Sequence, residues 1–187
     1  RLFLFFPLLL LVASQTAISL ANWFSAMVVV PENLPRMDFS EGVPAYAHTL
    51  AVVPCMLSDA ETVSMLLAEL EVRYLANVDA HVDFALLTDF CDAPQETMPG
   101  DRALLDQVTE GIEQLNHKYR RQKDQTFYLL HRPRRWNEKE KMWMGYERKR
   151  GKLAELNAFL RGKGQDRFSV VLGDPLRLRT VKYVITL

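Results

Sequence analysis

The first thirty residues place the strongest constraint on how this chain can fold. No charged residue lies between Leu2 and Val30, and as a helix this segment would extend roughly 43 Å, more than the ~30 Å hydrocarbon core of a bilayer. Trp23 and Phe24 lie where an interfacial aromatic belt would be. A signal peptide or a buried core helix is the alternative, but the segment has neither a basic n-region nor a convincing cleavage site. We therefore expect residues 1–30 to form a transmembrane helix.

The rest of the chain has the composition of a folded domain. The 187 residues are 49% hydrophobic and 25% charged, which excludes a disordered or low-complexity chain. Two cysteines, Cys55 and Cys91, cannot build a disulfide framework, and no spacing of Cys and His is typical of a zinc site. A reducing, cytosolic compartment is the expectation for the part outside the membrane. The length predicts one domain besides the apolar helix.

The formal net charge of zero hides a segregation of charge along the chain. Residues from Lys118 to Lys152 include 13 Lys and Arg but only 4 Asp and Glu, whereas the remainder has 10 basic and 19 acidic residues. This concentration of positive charge predicts a surface for an anionic partner, without identifying that partner.

The order of apolar segments predicts the fold class. Residues 31–48, with three prolines and a glycine, predict an extended linker. Beyond it, short apolar runs alternate with segments of helical periodicity, so we predict an open, mainly parallel α/β sheet in residues 49–187. The predicted strands are Thr49–Pro54, Val82–Thr88, Thr126–His131, Phe168–Gly173 and Val181–Leu187, and the predicted helices run from about Ala60 to Leu75, Asp101 to Tyr119 and Glu147 to Arg161.

The residues that follow each strand are the candidates for function, because open α/β sheets bind ligands beyond the carboxyl ends of their strands. Asp89 follows the second strand, and its carboxylate could accept hydrogen bonds from a nucleobase or a ribose. The alternative for a single Asp at this position is a cap or turn residue.

A basic and aromatic segment follows the third strand. Arg132, Arg134 and Arg135 precede Trp136, and together they could bind phosphates and stack on a ring. The alternatives are a solvated basic loop, or one that contacts acidic lipid head groups. Nucleic acid is a further alternative because basic and aromatic residues interleave, although no recognised nucleic-acid motif is present, and we expect no nucleic-acid partner.

A glycine and a lysine begin the third predicted helix. Lys152 lies in its first turn or two, where the helix dipole does not favour a cation and a bound phosphate would offset that cost. Gly151 would let the backbone approach such a ligand. The spacings of a P-loop, a dinucleotide-binding motif and a serine hydrolase are absent. Three of the four histidines (His48, His81 and His117) are interpreted as linker or surface groups.

The segment Gly151–Leu160 resembles the Gly-Lys-Ala-x-x-Leu-Asn-x-x-Leu segment of processive polysaccharide synthases, which are membrane glycosyltransferases with a GT-A fold. This resemblance implies a GT-A-like, Rossmann-type sheet, of which the chain carries the N-terminal part. It also implies that Pro54 opens a nucleotide pocket, that Asp89 contacts uracil and that Lys152 contacts the diphosphate of a UDP-sugar, with Asn157 as a further binding residue. A candidate donor-site loop contains Arg134, Arg135, Trp136, Arg150 and Gly151. The alternative for Arg134, Arg135 and Trp136 is that they only pack the loop.

Four longer strings are similar to the cyclic β-1,2-glucan synthases of glycosyltransferase family 84. They are Asn33–Phe39, Leu86–Phe90, His131–Asn137 and Trp143–Lys152. The resemblance implies a bacterial inner-membrane enzyme with its α/β domain in the cytosol. It also implies that this enzyme polymerises glucose from UDP-glucose into cyclic β-1,2-glucan with inversion. The implied partners are UDP-glucose, the growing β-1,2-glucan, the lipid bilayer and the rest of the same polypeptide.

The family's metal site and catalytic residues are expected outside this chain. A divalent metal, Mg or Mn, held by an Asp-x-Asp motif would neutralise the leaving UDP, and a later carboxylate would deprotonate the acceptor. The sequence begins at Arg1 and ends at Leu187, before any such motif. We therefore expect a fragment that carries part of the UDP pocket, has no catalytic or metal-binding residue of its own and is inactive alone.

Two other functions stay open at this point. One is a processive membrane glycosyltransferase with a different donor or linkage, because no residue between Pro54 and Lys152 distinguishes glucose from its epimers. The other is a membrane-tethered module that binds an anionic ligand through the basic segment. Non-specific phosphate binding would weaken steeply with salt, whereas a uridine pocket would discriminate between UDP and ADP at fixed salt.

Overall fold

The computed structural model describes residues 2–29, 39–120 and 126–187, with side chains from residue 5 onward. Residues 39–187 form one compact unit, and the segment before them forms another. The helices are α1 Leu2–Val28, α2 Ala60–Ala76, α3 Asp101–Lys118, α4 Arg148–Leu160 and α5 Pro175–Leu178. The strands are β1 Thr49–Leu57, β2 Val82–Phe90, β3 Phe127–Arg132, β4 Arg135–Asn137, β5 Met142–Met144, β6 Val170–Leu172 and β7 Tyr183–Thr186.

Helix α1 has the properties of a membrane span. Its segment Phe5–Val28 has a mean hydropathy of 1.5, is 24 residues long and buries none of its apolar side chains within the described chain. Since the segment is long and apolar enough to cross a bilayer, the N-terminal helix expected from the sequence is present. Of the linker predicted at 31–48, residues 31–38 lie outside the described residues.

The sheet has the strand order β6-β3-β2-β1-β7. Strands β3, β2, β1 and β7 are parallel to one another, whereas β6 pairs with β3 in the antiparallel direction. The predicted α/β class with a mostly parallel sheet is therefore confirmed. Because β2 and β3 extend the sheet on one side of β1 and β7 on the other, the strand order reverses at β1. A reversal of this kind opens a crevice at the carboxyl ends of the strands.

Two apolar clusters cover the two faces of the sheet, which gives a three-layer arrangement. Helices α2 and α3 bury their apolar stripes on one face, and α4 with α5 covers the other. Leucines Leu86 and Leu87, both fully buried, belong to opposite clusters, because successive side chains of a strand point to opposite faces.

Three local features differ from the sequence-based expectation. Strand β1 continues past Pro54 to Leu57, and it pairs with β2 over this whole length. The basic and aromatic segment after β3 contains the β4–β5 hairpin, which was not predicted. The short helix α5 was not predicted; Asp174 caps it by accepting a hydrogen bond from the Leu176 amide at 2.8 Å.

The expectation that His48 is a linker or surface group is wrong. The side chain is buried, and its two ring nitrogens lie 2.7 Å from Asp83 Oδ2 and 2.7 Å from Thr180 Oγ1. Arg177 Nε donates to the same Asp83 oxygen at 2.9 Å. These contacts tie the segment before β7 to β1 and β2 at the end of the sheet opposite the carboxyl ends of the parallel strands. His117 is exposed and His81 is half-buried.

Candidate functional site

A cavity of about 240 Å³ lies at the carboxyl ends of β1 and β2, against the first turns of α4. Its walls come from three elements that the sheet topology brings together. Pro54 is contributed by β1, Asp89 by β2 and Lys152 by α4. The other lining residues are Cys55, Met56, Phe90, Asp92, Gly145, Arg148 and Lys149.

Two buried cations share the Asp89 carboxylate at the base of this cavity. Arg132 donates from Nε to Oδ1 at 2.8 Å and from Nη2 to Oδ2 at 2.9 Å. The Lys152 Nζ lies 3.0 Å from Oδ2 and donates to the Cys55 carbonyl oxygen at 2.6 Å. All three charged side chains are at most 5% exposed, so each depends on the others for compensation of its charge.

A second carboxylate balances the charge of this group. Glu155, on α4, accepts a hydrogen bond from Arg132 Nη1 at 2.9 Å. Burial alone would lower the pKa of the Arg132 guanidinium, but its hydrogen bonds to Asp89 and Glu155 raise it. The formal charges of Asp89, Arg132, Lys152 and Glu155 cancel, which permits four charged side chains to lie so close together.

Two glycines allow the segment that follows β5 (residues 145–151, here called the hairpin segment) to pass directly over this ion-pair group. A Cβ atom on Gly145 would lie 2.5 Å from Asp89 Oδ2, so no larger residue fits without displacing the carboxylate. A Cβ on Gly151 would lie 2.2 Å from the Tyr146 carbonyl oxygen. The close approach that Gly151 permits is therefore to the chain's own backbone. Glu147 and Arg148 between them have positive φ angles of 53° and 45°, a conformation that non-glycine residues seldom adopt.

Two groups next to the ion pairs are held in their neutral forms. Burial raises the pKa of the Cys55 thiol to about 12, with Lys152 opposing and Asp89 adding to the shift. Burial also lowers the pKa of His131 to about 4. The His131 Nδ1 lies 2.8 Å from Thr88 Oγ1 and its ring contacts Phe90. A thiol of such high pKa is not a nucleophile at neutral pH.

The structure brings Pro54, Asp89 and Lys152 together, as the sequence predicted, but not Asn157. Asn157 is exposed and lines a separate cavity of about 830 Å³ between α4 and β7. Its position five residues after Lys152 turns it to another side of the helix. Its binding role therefore stays a prediction without a contact to this cavity.

The residues of the predicted donor-site loop are dispersed. Arg134 is buried against Asp101, where its Nη2 donates to Oδ1 at 3.1 Å, and its Nε donates to the Cys91 carbonyl at 2.6 Å. Arg135 reaches the Asp166 carbonyl at 3.5 Å, and the Arg150 side chain is 85% exposed beside Glu147. Trp136 lies on β4, outside the cavity of Asp89 and Lys152.

Sequence reasoning missed the partners that hold the cavity together. Arg132 was grouped with the phosphate-binding arginines, whereas its Nε and Nη2 donate to Asp89 and its Nη1 donates to Glu155. Glu155 was overlooked, although its position three residues after Lys152 places both on one side of a helix. Gly145 lies within the string Trp143–Lys152 that resembles the glucan synthases, but the sequence of that string does not show that Gly145 contacts Asp89.

A divalent metal was expected in the complete enzyme. In the part of the chain that the structure describes, no group of three or more His, Cys, Asp or Glu residues converges to hold a metal ion. The described residues therefore do not form a site for this metal, which was expected outside the chain.

The sequence of this chain is similar to that of a known protein. No protein-family model matches the chain. Over 175 residues, or 94% of its length, the chain is 41% identical to the cyclic β-(1,2)-glucan synthase NdvB of Rhizobium meliloti (strain 1021). The resemblance to the cyclic glucan synthases is confirmed.

The match to this glucan synthase covers only part of the larger protein. The chain spans about 6% of the length of the curated relative. The matching stretch is nevertheless long enough to include most of the α/β unit with its ion-pair group and cavity, since only 12 of the 187 residues lie outside it. Identity at this level over most of the chain indicates a common fold.

Proposed function

We propose that this chain binds the UDP part of UDP-glucose for a membrane glycosyltransferase that polymerises glucose into cyclic β-1,2-glucan, with inversion at the anomeric carbon. The observation that carries the proposal is the cavity in which Pro54, Asp89 and Lys152 meet at the strand ends. Similarity to a cyclic β-(1,2)-glucan synthase supports the glucan product.

The hydrogen-bonding capacity of Asp89 supports its assignment to the base. A carboxylate has about four lone-pair sites, of which Arg132 and Lys152 take three. The remaining site lies on Oδ1 and can accept the N3–H of uracil. Arg132 thereby orients the carboxylate, because its two donors fix both oxygens.

The position of Lys152 supports its assignment to the diphosphate. An ammonium has three N–H donors, and among the described residues two acceptors, the Cys55 carbonyl and Asp89, lie within hydrogen-bond distance of Nζ. The third donor is available to a phosphate oxygen. Arg148 and Lys149 add positive charge at the rim, where Arg148 is held by Asp92 at 2.8 Å.

The proposal places this chain in the bacterial inner membrane through α1, with the α/β unit in the cytosol, where UDP-sugars are available. The acceptor base and the divalent metal are assigned to other parts of the same polypeptide. The fragment is accordingly expected to bind the donor without transferring glucose.

Isothermal titration of the purified chain with UDP, CDP and ADP at one fixed salt concentration tests the proposal. CDP is the sharpest comparison, because cytosine replaces the N3–H donor with an acceptor. We expect UDP to bind most tightly and Lys152→Met to weaken UDP binding at least about tenfold, the value of a lost charge-assisted hydrogen bond. Lys163→Met, at an exposed lysine beyond the end of α4, is the matched control.

Equal binding of the three nucleotides, with a steep loss of affinity on addition of salt, would contradict the proposal and favour a module for anionic ligands. The described structure gives that alternative less support, because several cations of the basic segment are already paired. Arg132, Arg134 and Arg148 bind Asp89, Asp101 and Asp92, respectively.

A further inference from the structure

A second cavity of about 510 Å³ lies beside the first, along the β4–β5 hairpin. Arg148 borders both cavities, so the two adjoin. The walls of the second cavity combine aromatic, carboxylate and amide groups. The principal lining residues are Trp136, Asn137, Glu138, Glu140, Tyr146 and Glu147.

Two aromatic side chains that line this hairpin cavity are exposed. Trp136 is 43% and Tyr146 is 53% exposed. A ligand that packs on both rings would remove their apolar surface from water. Because indole and phenol rings carry both an apolar face and a polar group, they suit a ligand that is itself amphipathic.

The Trp136 ring is held in place before any ligand binds. Trp136 is opposite Trp143 in the β4–β5 ladder, and the two ring centroids are 5.9 Å apart. Trp143 in turn exchanges two backbone hydrogen bonds with Ala93, at 2.9 and 3.0 Å. A ring fixed in this way offers a binding surface with little entropy to lose.

The charge of the hairpin cavity disfavours an anionic ligand such as a phosphate. Its lining includes three glutamates against two cations, Lys139 and Arg148, so the net charge is negative. The adjoining cavity of Asp89 has an excess of positive charge from Arg148, Lys149 and Lys152. Anionic ligands are therefore attracted to one cavity and repelled from the other.

A neutral saccharide matches these features together. The C–H face of a pyranose packs on an aromatic ring, and its hydroxyl groups donate to carboxylates and accept from guanidinium and amide groups. We infer that the hairpin cavity binds a neutral glucosaccharide chain, with Trp136 and Tyr146 as stacking surfaces and the glutamates as hydroxyl acceptors. That the sugar is a β-1,2-linked glucan rests on the proposed function.

Titration of the full chain with a β-1,2-linked gluco-oligosaccharide tests this inference, in a detergent without a sugar head group. Saturable binding is expected, and removal of one stacking surface by Trp136→Ala or Tyr146→Ala is expected to weaken it about fivefold or more. Tyr46→Ala removes an exposed tyrosine elsewhere and is the matched control. An α-1,4-linked oligosaccharide of equal length measures the preference for the linkage.

Parallel titrations with UDP separate this inference from the proposed function. Absence of oligosaccharide binding to a chain that binds UDP would overturn the saccharide site and leave the proposed function standing. Oligosaccharide binding without UDP binding would do the reverse. Binding that both Trp136→Ala and Tyr146→Ala leave unchanged would show that the sugar lies elsewhere. The two variants are independent, so misfolding of one leaves the other as a test.

Discussion

The Asp89 carboxylate and the Lys152 ammonium are joined by a buried ion pair of 3.0 Å. In the proposed site these are the two groups that recognise the base and the diphosphate. Because Asp89 and Lys152 are in contact, binding of the base and binding of the diphosphate affect each other. Withdrawal of the lysine toward a phosphate would free an Asp89 oxygen, so the two halves of the nucleotide are expected to bind cooperatively.

Asp89→Asn is expected to have two effects. The preference for UDP over CDP should fall, because an amide can donate as well as accept. The free energy of unfolding should fall by about 3 kcal/mol, because Arg132 and Lys152 both lose a buried counter-charge. Nucleotide titration and chemical denaturation measure the two effects separately.

The matched control for this change is Asp92→Asn, at a carboxylate that borders the same cavity and pairs with the largely exposed Arg148. An exposed pair of this kind contributes less than about 1 kcal/mol. If Asp89→Asn leaves the UDP preference unchanged, Asp89 is a structural residue of the ion-pair group and does not contact the base.

Gly145→Ala tests how closely the hairpin segment lies over the ion-pair group. The added Cβ would meet Asp89 Oδ2 at 2.5 Å and Arg132 Nη2 at 3.1 Å. We expect a loss of about 2 kcal/mol in the free energy of unfolding and weaker UDP binding, because the carboxylate must move. Gly162→Ala is the control, since its φ of +77° imposes backbone strain but no atom lies within 4 Å. Equal effects of the two changes on UDP binding would contradict the assignment.

The order and type of the main elements could be predicted from the sequence, because periodicity and turn residues act locally. Helix α2 was predicted at about Ala60 to Leu75 and lies at Ala60–Ala76. The shared pocket of Pro54, Asp89 and Lys152 was implied by the resemblance to processive synthases, and only the position of Asp89 followed from the rule that parallel strands place their carboxyl ends at one edge.

The pairings between distant residues could not be predicted in this way. His48 was assigned to a linker because its neighbours are prolines and small residues, but its partners Asp83 and Thr180 lie far along the chain. Arg134 was assigned to a phosphate-binding loop because arginines cluster there, yet Asp101 neutralises it. Local composition reports which charges are present, and only the tertiary structure reports which of them are already paired.

Asp83→Asn is expected to loosen the last strand of the sheet. Asp83 is fully buried and accepts hydrogen bonds from Arg177 and contacts His48. Loss of its charge should lower the free energy of unfolding by about 3 kcal/mol. It should also accelerate amide exchange in β7, because β7 is the strand that follows α5, the helix that contains Arg177. Asp166→Asn, at an exposed aspartate, is the control. Unchanged exchange in β7 would show that pairing with β1 alone holds that strand.

His131 is expected to make the protein acid-sensitive. Burial lowers its pKa from 6.5 to about 4, so below pH 6.5 the unfolded chain binds a proton that the folded chain excludes. Stability is therefore complete above pH 6.5 and falls as the pH decreases toward 4, by about 3 kcal/mol in all. Burial would raise the pKa of Asp101, but its hydrogen bonds with Arg134 lower it. Protonation of Asp101 therefore destabilises the fold only at the lower end of this pH range.

Denaturation of the chain at a series of pH values between 7.5 and 4.5 measures this dependence, with its slope against pH as the readout. His131→Gln should flatten the slope whatever its effect on stability at neutral pH, because the titrating group is gone. His117→Gln removes an exposed histidine and should leave the slope as it is. The same slope in all three proteins would mean that His131 is protonated equally in the folded and unfolded states, and that the buried imidazole is not the source of the acid sensitivity.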